Sequence, residues 1–152
     1  MKMFKKILIG LLVVLVIIQF FRPEKNSAEG LSEADISYAL SIPSDVHSVL
    51  VEKCYDCHSN STRYPWYFNV QPIAWWMAHH VEEGKEELNF SDFKNFTERR
   101  ANHKLEEISE MIMEDEMPLP SYTLIHRSAK LTEEEKSAIN AWIKSMGLKT
   151  TE

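Results

Sequence analysis

The chain has 152 residues, 44% of them hydrophobic and 11% aromatic, with four glycines, two cysteines and a net charge of −6. This length bounds the chain to one domain, and the aromatic-rich, glycine-poor balance favours a packed helical fold over disorder. Residues 1–22 hold Lys2, Lys5, Lys6 and Arg22 and no acid, which leaves 13 bases against 23 acids, a net −10, from Pro23 onward. That balance excludes the basic footprint a nucleic-acid partner needs. It serves solubility and, on a sharper reading, docking to a basic partner.

The first element is apolar. Ile7 to Phe21 is interrupted only by Gly10 and Gln19 and follows the three lysines. Fifteen residues rise only about 22 Å, less than a hydrocarbon core of about 30 Å. Adding Met3 and Phe4, with Lys5 and Lys6 snorkelling outward, lengthens the span. Gln19-Phe20-Phe21-Arg22-Pro23 makes a poor cleavage site, so residues 1–22 read as an uncleaved signal anchor, a single transmembrane helix. Positive charge ahead of the span puts the N-terminus in the cytoplasm and the remaining chain outside. The expected location is the cytoplasmic (inner) membrane, single-pass, with the domain facing the periplasm. Residues 23–40 open on the polar Pro23 to Gly30 stretch and read as a tether.

The domain proper is expected over 41–148, followed by a tail, 149–152. Ser44 or Asp45 suits a helix start, and Val46, Val49, Leu50 and Cys54 recur at helical spacing. Pro72 suits the first position of another helix, in which Ile73, Trp76, Met77, His80 and Val81 share a face and Gly84 is a stop. Ser91 reads as the N-cap of a short helix through Phe93 and Phe96. A longer helix spans about Glu98 to Glu114, with Leu105, Ile108, Met111 and Ile112 inward, and ends before Met117-Pro118-Leu119-Pro120. Thr132 to Glu135 forms a capping box for a last helix with Ala138, Ile139, Trp142, Ile143 and Met146 buried, and Gly147 suits its C′ position. No strand alternation and no repeat is present. The fold class is all-α.

The chemistry concentrates in Cys54-Tyr55-Asp56-Cys57-His58. Two thiols three apart followed by a His form the pattern of a c-type haem attachment site. On a helical turn, positions i, i+3 and i+4 share one face. Both thiols and the imidazole of His58 can therefore address one flat ligand, and His is an ordinary proximal ligand of haem iron. The competing readings are a thioredoxin-like dithiol, a structural zinc site and two unconnected cysteines. No βαβ pattern precedes Cys54, as the first would require, and a zinc site wants four ligands where the chain has only these two cysteines.

A second axial ligand would come from Met or His. Met77, Met111 and Met146 fall on apolar helix faces, where Met is ordinarily filler. Met117 sits at a helix end, stiffened by Pro118, 59 residues after His58, and is the expected distal ligand. His79 and His80 are its rivals, and His126 is a candidate for a hydrogen bond near the cofactor. After His58, an aromatic loop through Thr62-Arg63-Tyr64-Pro65-Trp66-Tyr67-Phe68 can cover a haem edge, with Arg63 pairing a propionate. Trp66, Tyr67 and Phe68 read mostly as core.

Taken together, Cys54-Tyr55-Asp56-Cys57-His58-Ser59-Asn60, Thr62 to Tyr67, Pro72, Trp75-Trp76, Leu88 to Ser91, Met117-Pro118, Tyr122, His126 and Trp142 resemble a family of small bacterial haem-binding domains related to monohaem cytochromes c. The likeness spans about residues 40–147. It implies one covalent haem c and a cytochrome c-like helical fold. By the same likeness Met117 is the distal ligand, and Arg63, Tyr64 and Trp66 of the aromatic loop are expected cofactor contacts. The expected function is single-electron transfer to a redox protein that the sequence does not name. A haem sensor or peroxidase-like protein with an open sixth site is the first alternative, and a periplasmic dithiol oxidoreductase the second.

Overall fold

The computed structural model describes residues 2–148 and 150, so of the expected tail 149–152 only Thr150 lies within the described residues. The elements are α1 (Lys2–Ile18), α2 (Ile36–Ala39), α3 (Ser44–Lys53), α4 (Tyr55–His58), α5 (Ile73–Glu87), α6 (Glu98–Met113), α7 (Pro120–Ile125) and α8 (Glu133–Ser145). Short 3-10 turns lie at Trp66–Asn69, Phe90–Asn95 and Arg127–Ala129. Among the described residues no strand forms, and the one bridge joins Ser27 to Ser61. The all-α expectation therefore holds for the domain.

The core collects one face from each of α3, α6 and α8. Val46 and Leu50 of α3, Leu105 and Ile112 of α6, and Ile139, Trp142 and Ile143 of α8 meet Ile36, Tyr55, Phe90 and Phe93. Residues three, four and seven apart bury together, as an amphipathic helix requires. Thr132 caps α8 by accepting from Glu135 N–H, while the Glu135 carboxylate accepts from Thr132 N–H at 2.8 Å. Gly147 follows at φ +76, the left-handed C′ conformation that glycine adopts without strain. The α6 end is similar in form: Asp115 has φ 58, and Glu116 N–H returns to the Met111 carbonyl at 3.0 Å. Lys136, an apparent defect in the apolar stripe of α8, is buried and pairs with Asp115 at 2.7 Å, pinning the loop after α6.

Three expectations need correction. The first is the transmembrane anchor. Among the described residues no helix is long and apolar enough to cross a membrane. α1 has 17 residues, about 25 Å at 1.5 Å each, against a core of about 30 Å. Three lysines occupy its first two turns, so only Ile7 to Ile18 is free of charge. The helix stops at Ile18 because the N–H groups of Gln19, Phe20 and Phe21 turn back to the third residue before each. The Gln19 amide is then engaged by the domain, accepting from Gln71 N–H at 2.9 Å. The single-pass placement in the inner membrane, with the domain facing the periplasm, rested on that helix and falls with it.

The second concerns residues 23–40, which pack on the domain. Asn26 donates to the Ser59 carbonyl at 2.7 Å and to Thr62 Oγ1 at 2.9 Å, and accepts from Lys85 Nζ at 2.7 Å. Ile36 and Asp35 are fully buried, and the Asp35 carboxylate accepts from the Tyr55 hydroxyl at 3.1 Å.

The third is α5, which does not stop at Gly84 but runs through it to Glu87. Its buried residues are Ala74 and Val81, while Ile73 and Trp76 lie half exposed. Small residues face inward because α5 lies close against α4. A Cβ on Gly84 would come within 2.9 Å of the Cys57 carbonyl oxygen.

Candidate functional site

α3 ends at Lys53, and Cys54, at φ −119 and ψ −36, joins it to α4. The Cys54 carbonyl then accepts from both Cys57 N–H (3.2 Å) and His58 N–H (3.0 Å). That doubly used carbonyl closes one turn and brings Cys54, Cys57 and His58 to a common side. All three line a mostly apolar cavity of about 240 Å³ with Met117, Pro118, Leu119, Tyr122 and Ile112. His80, Glu83, Gly84 and Glu87 of α5 line it too, as do Lys53 and Leu131.

The imidazole is oriented from behind. His58 Nδ1 lies 2.8 Å from the Gly84 carbonyl and 3.0 Å from the Leu88 carbonyl. Both partners can only accept, so Nδ1 carries the proton and Nε2 keeps its lone pair, as a metal-ligating His requires. Burial holds the imidazole pKa below its ordinary value, against the pull of those two carbonyls, and so favours the neutral, ligating form. Edge contact with Phe90, at 6.2 Å between ring centres, fixes the ring further.

The thiols are poor thiolates. Burial pushes Cys54 up to about 12, with Cys57 adding to the effect. Cys57 rises to about 11 from burial and from the neighbouring Asp56 charge. Catalytic dithiols carry the opposite signature, a depressed pKa.

Asp56, between the two cysteines, is a hub. It takes Arg63 in a forked pair, Nε to Oδ1 at 2.9 Å and Nη2 to Oδ2 at 3.2 Å, and accepts the Tyr122 hydroxyl at 2.9 Å. Burial, then the Asp56 carboxylate, pushes the Tyr122 phenol well above its usual range. The Tyr122 ring stacks on His126 at 4.3 Å. His126 Nδ1 donates to the Tyr122 carbonyl at 3.3 Å, so its Nε2 accepts from the Tyr67 hydroxyl at 2.7 Å.

Of the residues expected at the site, Cys54, Cys57, His58 and Met117 are brought to one cavity, and Arg63, Tyr64 and Trp66 are not among its lining. The Arg63 guanidinium is spent on Asp56 and on the Glu52 carbonyl at the end of α3. Tyr64 accepts from Asn26 N–H at 2.8 Å and packs its ring on Phe68 at 4.0 Å. Trp66 is 78% exposed, and of the three aromatics read as core only Phe68 is buried. His80 reaches the cavity and lies 4.3 Å from the Trp76 ring, whereas exposed His79 pairs with Glu83 at 3.2 Å.

A haem-binding domain family model matches residues 13–145. The chain belongs to the haem-binding domain family. No curated protein and no solved structure matches it. Haem is thus the cofactor of this domain, and the chemistry of the donor set fits it: two thiols, a neutral imidazole with a free Nε2 and a thioether share one apolar cavity.

Within the haem-binding domain, Gly84, the Leu88 carbonyl and the Asp56–Tyr122 pair are features that residue spacing alone did not single out. For Gly84 a signal existed. It is one of only four glycines, and a glycine inside a helix costs about 1 kcal/mol relative to alanine unless packing requires it.

Proposed function

We propose that this haem-binding protein is a monohaem c-type cytochrome that transfers single electrons. Cys54 and Cys57 hold the haem by thioether bonds, His58 Nε2 is the proximal ligand and Met117 is the distal one. The observation that carries this reading is the convergence of Met117 on the cavity of Cys54, Cys57 and His58 across 59 residues of chain.

Bound haem supplies a one-electron iron couple. The protein's own residues orient and shield it. Gly84 and Leu88 fix the His58 tautomer, so Nε2 points its lone pair without rearrangement. The Met117 loop is held at both ends, by Met117 N–H to the Met111 carbonyl at 3.1 Å and by Tyr122 to Asp56. A thioether held this way loses little entropy on ligation. His/Met ligation favours a higher potential, which suits a carrier. The raised thiol pKa values favour this reading over a dithiol oxidoreductase.

The test is expression with a haem c maturation system, followed by mass and spectra. The expected results are a gain of one haem that survives denaturation, no titratable thiol and a low-spin spectrum. Met117→Ala should turn that spectrum high-spin. Colourless protein with two free thiols would refute the covalent reading, and an unchanged spectrum in Met117→Ala would remove Met117.

A further inference from the structure

The chain has 23 acidic residues, yet none lies in Ser59–Val81 or in Met117–Thr132. The fold brings these two acid-free stretches together. Tyr67 of the first bonds His126 of the second, and Pro65, Trp76 and Met77 share a groove with Leu119, Ser121 and Tyr122. Cys57, His80, Leu119 and Tyr122 line both this groove and the larger cavity, so the two adjoin. Large apolar side chains point outward here: Trp66 is 78% exposed, Leu124 75% and Ile125 62%. Arg127 and Lys130 are exposed beside them. Asp56 in the groove is taken by Arg63 and Tyr122, and Asp115, which lies in the field of Lys130, is paired with Lys136.

Such a patch on a strongly acidic protein runs against the net charge. Exposed contiguous apolar surface marks a contact site, and interface centres are depleted in charge and enriched in aromatic residues. Glu83 and Glu87 of α5 line the larger cavity.

We infer that the face formed by Trp66, Leu124, Ile125, Arg127 and Lys130 is the docking surface for an electron-exchange protein that presents an apolar patch ringed by carboxylates. This deepens the electron-carrier reading and rests on it. It also reverses the expectation of a basic partner that the overall charge suggested, because recognition follows the local field of the contact face and not the net charge.

The haem-loaded full chain would be placed on gold bearing mixed methyl- and carboxylate-terminated alkanethiols, and on mixed methyl- and ammonium-terminated ones. Adsorbed mass and interfacial electron-transfer rate are both recorded. The carboxylate surface should bind more protein and exchange electrons at least tenfold faster. R127E/K130E should abolish that preference and R127Q/K130Q should weaken it. W66S/L124S should lower adsorption on both surfaces, with folding of each variant checked by circular dichroism.

Preference for the ammonium surface would overturn the inference. So would a carboxylate preference that survives R127E/K130E, since it would belong to Lys2, Lys5 and Lys6 of α1. Self-association lost in W66S/L124S would assign the face to a second copy of the chain and also overturn it. Carboxylate-selective adsorption without any electron exchange would refute the carrier reading and leave the docking surface standing.

Discussion

His58 and Gly84 are bound to each other through the backbone of α5: the imidazole Nδ1 donates to the glycine carbonyl at 2.8 Å, and the same glycine lies against Cys57. One residue without a side chain thus sets both the tautomer of the ligating His and the spacing of α5 from the attachment turn.

Gly84→Ala tests that closeness. The new methyl would come within 2.9 Å of the Cys57 carbonyl oxygen and 3.3 Å of its Cβ. Backbone cannot swing aside as a flexible side chain does, so α5 must move outward. Overpacking of this kind costs about 1–3 kcal/mol, more than alanine's helix propensity returns. Chemical denaturation should show the loss, and the spectrum of the loaded protein should report a disturbed His58. An unchanged midpoint and spectrum would contradict the packing described.

Tyr122→Phe removes the hydroxyl that ties α7 to Asp56 and leaves the ring stacked on His126. A hydrogen bond to a charged group contributes about 1.5–3 kcal/mol. Stability should fall by the lower part of that range, because Arg63 still holds Asp56. Hydrogen exchange should quicken in the loop around Met117 before it does in α8. Uniform quickening would mean the tie is not specific to that loop.

Thiol reactivity in the haem-free protein should follow burial. With Cys54 near 12 and Cys57 near 11, thiolate is scarce at neutral pH, and alkylation should be far slower than for an unstructured thiol. Unfolding should restore ordinary reactivity. Rapid alkylation of the folded protein at pH 7 would revive the dithiol oxidoreductase.

Acid stability should track Glu135. Burial opposes its charge, but the Lys53 ammonium at 2.6 Å and the bonds from Thr132 prevail and lower its pKa from 4.5. A carboxyl with a lowered folded pKa stabilises above its unfolded value. That stabilisation is lost as pH falls from about 4.5 through the lowered pKa. Glu135→Gln keeps a side chain able to complete the capping box and removes the charge. Its stability should be lower than wild type at pH 7 and should converge on wild type in acid. Parallel curves would assign the acid loss to other carboxylates.

Much of this protein was legible in residue spacing, because the features concerned are local. A turn of helix makes Cys54, Cys57 and His58 neighbours whatever surrounds them, and Thr132 with Glu135 closes a capping box within four residues. The proline-bounded end of α6 and the left-handed Gly147 are equally local. What spacing did not determine depends on where the chain returns. Trp66 looked like core from its composition, yet only Phe68 of that run finds apolar partners deep enough to bury it. Residues 23–40 looked like a tether because their polar groups carry no visible partner until Ser59, Thr62 and Lys85 come to Asn26. An apolar run suggested a membrane span, yet the helix it forms ends after 17 residues, and just beyond it Gln19 bonds to Gln71, 52 residues away. Periodicity reports which residues share a face, whereas packing across dozens of residues decides what that face meets. Only that long-range packing gathers two acid-free stretches and Met117 around the attachment turn.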